Sequence, residues 1–283
     1  MSASTTYDSA SQPGPVGLIV EGFREAWGRR RLIGYLIRAD LKKKGSDTVL
    51  GNLWWIIDPL LQMSVYVVLV TVIFARSTPA YPLFIFAAIL PWKWFTSVIN
   101  DSVVSVTSQE QLIKQVLFPK IILPVAAVLA GIANFAFGLI PLAGLLVIFY
   151  PDRISPTLLL IPVVAATQLV FTLALAIFLA AVNVFFRDVG NVARHVLRLW
   201  FYLSPALYSA DQLSNLGQKE PVVGALLQAN PFTPIFESYR NVIYSGTMPL
   251  FGHLLQVVAV SLVLLLVSVL FFKRVEPAFA KVL

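Results

Sequence analysis

The sequence contains no cysteine and only two histidines. A disulfide framework and a cysteine-bound metal are therefore excluded. His195 and His253 stand far apart, with no acidic residues at ligand spacing, so no metal site is expected. Charge is also scarce. Charged residues make up 12% of the chain and hydrophobic residues 58%, where soluble domains average about 25% and about 45–50%. Such a surface cannot face water, and an integral membrane protein is the expected class. A G-x-x-x-x-G-K-[ST] run is missing, so the chain lacks a phosphate cradle of its own. The 14 carboxylates are scattered without a placed pair, which argues against acid–base catalysis and against an enzyme. The formal charge of +7 is divided among hydrophobic segments instead of forming a basic stripe, so nucleic acid is not an expected partner. The opening "MSASTTYDSASQPGPVG" lacks the basic and apolar regions of a cleaved signal, and residues 1–30 read as a cytoplasmic N-terminal tail.

What is present is oil in long runs. Stretches of about 20 apolar residues can cross a bilayer. They fall at residues 53–74, 81–106, 121–150, 156–186 and 251–272, with a weaker one at 192–208 that carries Arg194, His195 and Arg198. Lipid leaves strand edges unsatisfied, so the expected fold is all-α. With six spans and the N-terminus inside, only Arg76, Arg153, Lys219 and Arg240 fall outside, and Lys93 lies within a span. The remaining Lys and Arg are then cytoplasmic, as the positive-inside rule asks. Five spans would put Lys273, Arg274 and Lys281 outside, which favours six. Between the last two spans, "VVGALLQANPFTPIFESYRNVIY" is too apolar for a loop. Asn-Pro and Thr-Pro cut it into pieces too short to cross, so re-entrant or interfacial outer helices are expected.

Two inner segments are amphipathic. Residues 31–46, within "RRRLIGYLIRADLKKKG", place Leu32, Ile33, Tyr35, Leu36, Ile37 and Ala39 on a broad apolar arc interrupted by Asp40. Arg31, Arg38 and Lys42 lie opposite, followed by Lys43 and Lys44, the pattern of an interfacial helix facing lipid phosphates. The second segment is "QEQLIKQVLFPKIILP". Thr107 and Glu110 have capping-box spacing. Leu112, Ile113, Val116 and Leu117 mark an apolar side, and Pro119 ends the helix at Phe118. An apolar stripe on a loop suggests a partner surface.

The motifs "GNLWWIIDPLLQMSVYVVLVTVIF", "LPWKWF", "LIKQVLFPKIILP", "FRDV", "YLSPALY" and "NPFTPIFESYR" occur in this order. Together they resemble the permease subunit of type-2 ABC polysaccharide exporters, the Wzm-like family of teichoic-acid and O-antigen permeases. The N-terminal region is similar to actinobacterial cell-wall galactan exporters. The resemblance covers residues 31 to 273 and implies an ABC-2 transmembrane domain over 31–283. It implies a homodimer in the bacterial cytoplasmic membrane, both termini cytoplasmic, paired with two copies of a separate ATP-binding subunit. The exported cargo would be a glycan linked to polyprenyl pyrophosphate. ATP and Mg²⁺ would sit on the partner, leaving no cofactor on this chain.

Carried over, residues 108–117 are a coupling helix, with Glu110, Leu112, Ile113, Lys114, Leu117, Phe118, Pro119 and Lys120 toward the ATPase. Arg187 and Asp188 either add a smaller contact or form a local ion pair. Arg31, Arg38, Lys42, Lys43 and Lys44 would gate entry of the lipid headgroup. The resemblance also implies an aromatic-lined channel, for which Trp92, Lys93, Trp94 and Phe95, with Tyr66 and Phe84, are the candidates. Lys93 is costly inside a span. It either faces that channel or pairs with an internal acid or snorkels. Asp58 is expected to cap a helix kinked at Pro59, and Asp101 to lie near the inner mouth. An ABC-2 permease for small lipids or drugs is the alternative. An ion-coupled secondary transporter is disfavoured, because only Lys93 is ionisable near midplane.

Overall fold

The computed structural model describes residues 14–46, 50–73, 79–208 and 221–283. Arg76, Lys219 and Phe74, and residues 1–13 of the expected tail, lie outside the described residues, as do 209–220 of the outer segment. The described residues contain helices and no strand, as apolar spans in lipid require. In order these are α1 (Pro15–Gly28), α2 (Arg30–Ser46), α3 (Trp54–Val67, continued by a π-helical turn Val68–Ile73) and α4 (Tyr81–Val103). There follow α5 (Glu110–Gln115), α6 (Ile122–Phe149), α7 (Ile161–Phe185) and α8 (Val189–Leu203). The chain finishes with α9 (Pro221–Ala229), α10 (Phe232–Arg240), α11 (Phe251–Val275) and α12 (Phe279–Val282).

Five helical stretches among the described residues are long and apolar enough to cross a membrane: Trp54–Ile73, Tyr81–Val103, Ile122–Phe149, Pro156–Phe185 and Phe251–Val282. The expected span at 192–208 is the 15-residue α8, about 22 Å long at 1.5 Å per residue, against a hydrocarbon core of about 30 Å. It is amphipathic, burying Ala193, Leu197 and Phe201 on one side. The segment expected on the outer side forms two nine-residue helices broken at Asn230-Pro231.

Helix α4 is the most enclosed element, with α3, α6, α7, α8 and α10 around it. Its contact with α6 is close because Gly131 and Gly138 carry no side chain. A Cβ on Gly131 would meet Val98 Cγ2 at 2.1 Å, and one on Gly138 would meet Leu90 Cδ1 at 2.2 Å. Small residues at helix crossings serve this purpose where lipid removes any hydrophobic drive between helices. The main core is aromatic, with Trp92 and Phe95 of α4 meeting Phe171, Trp200, Phe201, Phe232 and Phe236.

Within the expected tail, the described residues form α1. Helix α1 is seated on α11, and a Cβ on its Gly22 would come 2.7 Å from Val269 Cγ1. The sequence shows no sign of this, because the partner surface lies about 250 residues away.

Candidate functional site

At one end of the bundle the chain leaves α4, turns, and enters α6. The expected helix over 108–117 is instead a 3₁₀ turn (Thr107–Gln109) followed by the six residues of α5, and Val116 is already extended. The capping box does not form. The Thr107 hydroxyl donates to the Val104 carbonyl at 3.2 Å, and the Glu110 carboxylate accepts from Lys114 Nζ at 2.7 Å. Carbonyls left open by the end of α4 compete for the hydroxyl, which is why spacing alone misled. The Lys114 bond lowers the Glu110 carboxyl below its ordinary range.

The apolar stripe splits in two. Ile113 is 4% exposed and packs in one cluster with Val106, Ile121 and Phe279, so it is a core residue and not part of an outward face. Leu112 and Val116 are exposed, and Leu117 is 95% exposed. Phe118, Pro119 and Lys120 are half-buried as the chain re-enters the bundle. Arg187 lies 3.9 Å from Glu110 rather than pairing with Asp188, which is exposed at the start of α8. Asn183 was not anticipated. Its Oδ1 accepts from the Gly190 amide at 3.2 Å and its Nδ2 reaches Thr107 Oγ1 at 3.4 Å, tying α7 and α8 to the turn.

Beside this end, α3, α4, α6 and the last turn of α2 enclose a cleft of about 330 Å³. Trp54, Trp55, Trp94 and Phe135 supply its aromatic wall, and Lys44, Asp58, Lys93, Ser97, Asp101 and Asn134 its polar one. Lys93 is bonded to Asp58, so Asp58 answers a charge on the next span instead of capping its own helix. Lys44 bridges Asp101 at 2.7 Å and Asp40 at 2.9 Å. Burial works against the Lys44 charge, yet the two carboxylates outweigh it and hold its pKa above the usual value. Of the residues that line this cleft, two carry a buried atom without a partner among the described residues, Trp94 Nε1 and Asn134 Oδ1. A donor and an acceptor left open beside aromatic faces suit a hydroxyl-rich ligand.

The other candidates fall elsewhere. Trp92 and Phe95 are sealed in the aromatic core, and Tyr66 packs against Phe201, so these three rings do not line the cleft. Phe84 lies under the Arg240 guanidinium, whose Cζ is 3.8 Å from the ring centre. On α2, Leu32, Ile33, Leu36 and Ile37 pack toward the core, while Tyr35 and Ala39 are exposed, so the apolar arc is narrower than expected. Arg31, Arg38, Lys42 and Lys43 are exposed; Lys44 is turned inward to its two acids.

The family described as ABC-2 type transporter matches residues 31–244. This chain belongs to the ABC-2 type transporter family. The O-antigen export system permease protein RfbA of Myxococcus xanthus is 34% identical to it over 258 residues, covering 91% of this chain and 97% of the relative. A Klebsiella pneumoniae protein of the same description is 26% identical over 255 residues, covering 89% and 95%.

Two motifs of this ABC-2 transporter have structural explanations. In "NPFTPIFESYR", Asn230 accepts from Trp200 Nε1 at 3.1 Å and donates to Ser204 Oγ at 2.8 Å. Arg240 is 5% exposed and donates to the carbonyls of Pro205 (2.6 Å), Ala206 (2.5 Å) and Tyr208 (3.1 Å) in "YLSPALY". The motifs clip α10 to the turn that follows α8. Charge counting read Arg240 only as a topology marker, and nothing local to it announces three carbonyls more than thirty residues away.

Proposed function

We propose that this chain is the membrane-spanning permease subunit of an exporter that moves a glycan linked to polyprenyl pyrophosphate outward, driven by ATP hydrolysis on a separate subunit. The observation that carries this reading is the surface of Leu112, Val116 and Leu117, apolar and exposed on a short turn whose other side is built into the core. Similarity to two O-antigen export permeases along nearly their whole length supports the cargo class. On this reading the chain forms a homodimer with two ATP-binding subunits in the cytoplasmic membrane. It holds no nucleotide, metal or other cofactor itself. Both termini are cytoplasmic, and a sixth crossing is made by α8 with residues beyond it, while α9 and α10 re-enter from the outer side.

The exposed Arg31, Arg38 and Lys42 of α2 would meet the pyrophosphate, since guanidinium and ammonium groups suit phosphate oxygens. The cleft would receive sugar, with hydroxyls reaching Trp94 Nε1 and Asn134 Oδ1. Its two lysines are neutralised by aspartates, which makes a neutral saccharide a better occupant than a phosphate.

The test is reconstitution of the complex purified from its source cells into vesicles, with labelled lipid-linked glycan. Export that requires ATP, and ATPase activity raised by the glycan, is expected. Leu112→Asp with Leu117→Asp should abolish association of the ATP-binding subunit while leaving membrane insertion intact. Export driven by an ion gradient without nucleotide would refute the reading.

A further inference from the structure

The turn at 116–120 is not held by its own helix ends alone. Lys273, near the end of α11, is buried and its ammonium meets three carboxylates: Glu25 at 2.8 Å, Glu276 at 3.0 Å and Glu21 at 3.1 Å. A lysine has three N–H donors, and each finds an acid. Glu21 and Glu25 belong to α1, and Glu276 follows α11. The second oxygen of Glu276 accepts the backbone N–H of Lys120 at 2.6 Å. One residue, Arg29, separates α1 from the basic helix α2. Further on, Ile113 shares a cluster with Phe279, and Lys114 Nζ donates to the Leu283 carbonyl at 2.7 Å.

The connected parts therefore run from the exposed turn through Glu276 to Lys273, then through Glu21 and Glu25 to α1 and α2. None of these acids lines the cleft; with Leu117, Phe118, Pro119 and Lys120 they border a separate pocket of about 470 Å³. Short charge-assisted bonds are directional. The buried Lys273 ammonium answers all three carboxylates at once, so α1, the end of α11 and the turn share one anchor. The seat of Gly22 against Val269 leaves no room for α1 to slide independently.

We propose that Glu276 is a positioning residue of the transport cycle. It joins the turn that receives the ATP-binding subunit to α1, and so carries the movement of that turn to the basic helix α2. The proposal rests on the reading of Leu112, Val116 and Leu117 as the surface that meets the ATP-binding subunit. It adds a link between energy input and the headgroup-facing helix, two regions with no neighbouring sequence.

The chain has no cysteine, so two introduced cysteines are the only labelling sites it contributes. Tyr35→Cys on α2 and Leu159→Cys, both exposed and the latter at the far end of the bundle, would carry spin labels in the intact complex. ATP is expected to shift the distance between them. Glu276→Gln should remove that shift and lower glycan exported per ATP by about five-fold or more, the lower range of typical coupling. Basal ATP hydrolysis and subunit association should stay within about two-fold, below that range. Should Glu276→Gln not fold, Glu21→Gln with Glu25→Gln detaches α1 while leaving the Lys120 contact, and is expected to give the same loss. A wild-type shift and wild-type export per ATP in the glutamine variants would overturn the proposal. If Leu117→Asp also leaves association and export unchanged, the coupling-surface reading itself fails, and the two failures are thereby told apart.

Discussion

Arg240 offers the sharpest test of how α10 and the turn after α8 are held together. Its guanidinium donates to three carbonyls of the turn after α8 and stacks on Phe84. Hydrogen bonds involving a charged group contribute about 1.5–3 kcal/mol each, so three give a gross of about 4.5–9 kcal/mol, and the ring adds about 0.5–2 kcal/mol. Against this stands the cost of burying the cation, several kcal/mol even after relaxation. Arg240→Ala removes both sides of the balance but leaves three carbonyls facing a dry cavity. The expected net loss is about 3–5 kcal/mol, since each buried carbonyl left without its donor costs about 1–3 kcal/mol and the relieved burial of the cation offsets part of the sum. Arg240→Lys should lose about half as much, because one ammonium cannot reproduce the planar fork. Unfolding of the purified chain in mixed micelles by SDS titration, followed by far-UV circular dichroism, measures both. A loss under about 1 kcal/mol for Arg240→Ala would show that water or a rearranged turn satisfies those carbonyls, and that the clip between the two motifs is not structural.

The α4–α6 crossing gives a second expectation. Gly131→Ala should destabilise by about 1–3 kcal/mol through overpacking, and Val98→Ala, which removes the atom 2.1 Å from the new methyl, should recover most of it in the same titration. In the cleft, Lys93→Ala leaves Asp58 without its cation, so the pair Lys93→Ala with Asp58→Ala should be more stable than Lys93→Ala alone, a sign that a double-mutant cycle reads directly. Trp94→Phe keeps a ring to stack on Phe135, whose centroid lies 4.6 Å away, but removes the unpartnered N–H. Folding should be unchanged and export reduced, whereas wild-type export would remove Trp94 from the substrate path.

What the sequence could and could not reveal divides along sequence distance. Five spans were readable because a run of apolar residues is a local property. The weaker stretch at 192–208 was ambiguous for the same reason, since α8 mixes a buried face of Ala193, Leu197 and Phe201 with Arg194 and Arg198. Composition told that rings crowd "LPWKWF" but not which way they point. Trp92 and Phe95, expected along a channel, fill the core of the chain, while Trp94 between them borders the cleft. Lys93 was left open between a channel and an internal acid, and the acid is Asp58, 35 positions earlier. The ion cluster on Lys273 was invisible, because Glu21 and Glu25 look like ordinary acids in an N-terminal tail. Capping-box spacing at Thr107 and Glu110 was a true local signal overruled by nearer acceptors at the end of α4.

The joint at Glu276 also has a consequence for how the molecule is made. Lys120 leaves the ribosome 156 residues before its carboxylate partner, and Lys114 leaves 169 residues before the Leu283 carbonyl. At 5–20 residues per second, the turn waits roughly 8–30 s for the residues that brace it. During that interval its apolar side chains lie next to the membrane without their final support. An ATP-binding subunit that requires the braced turn would therefore pass over nascent chains and join only those whose last span is already in place, so that assembly order follows from chain order without a dedicated checkpoint.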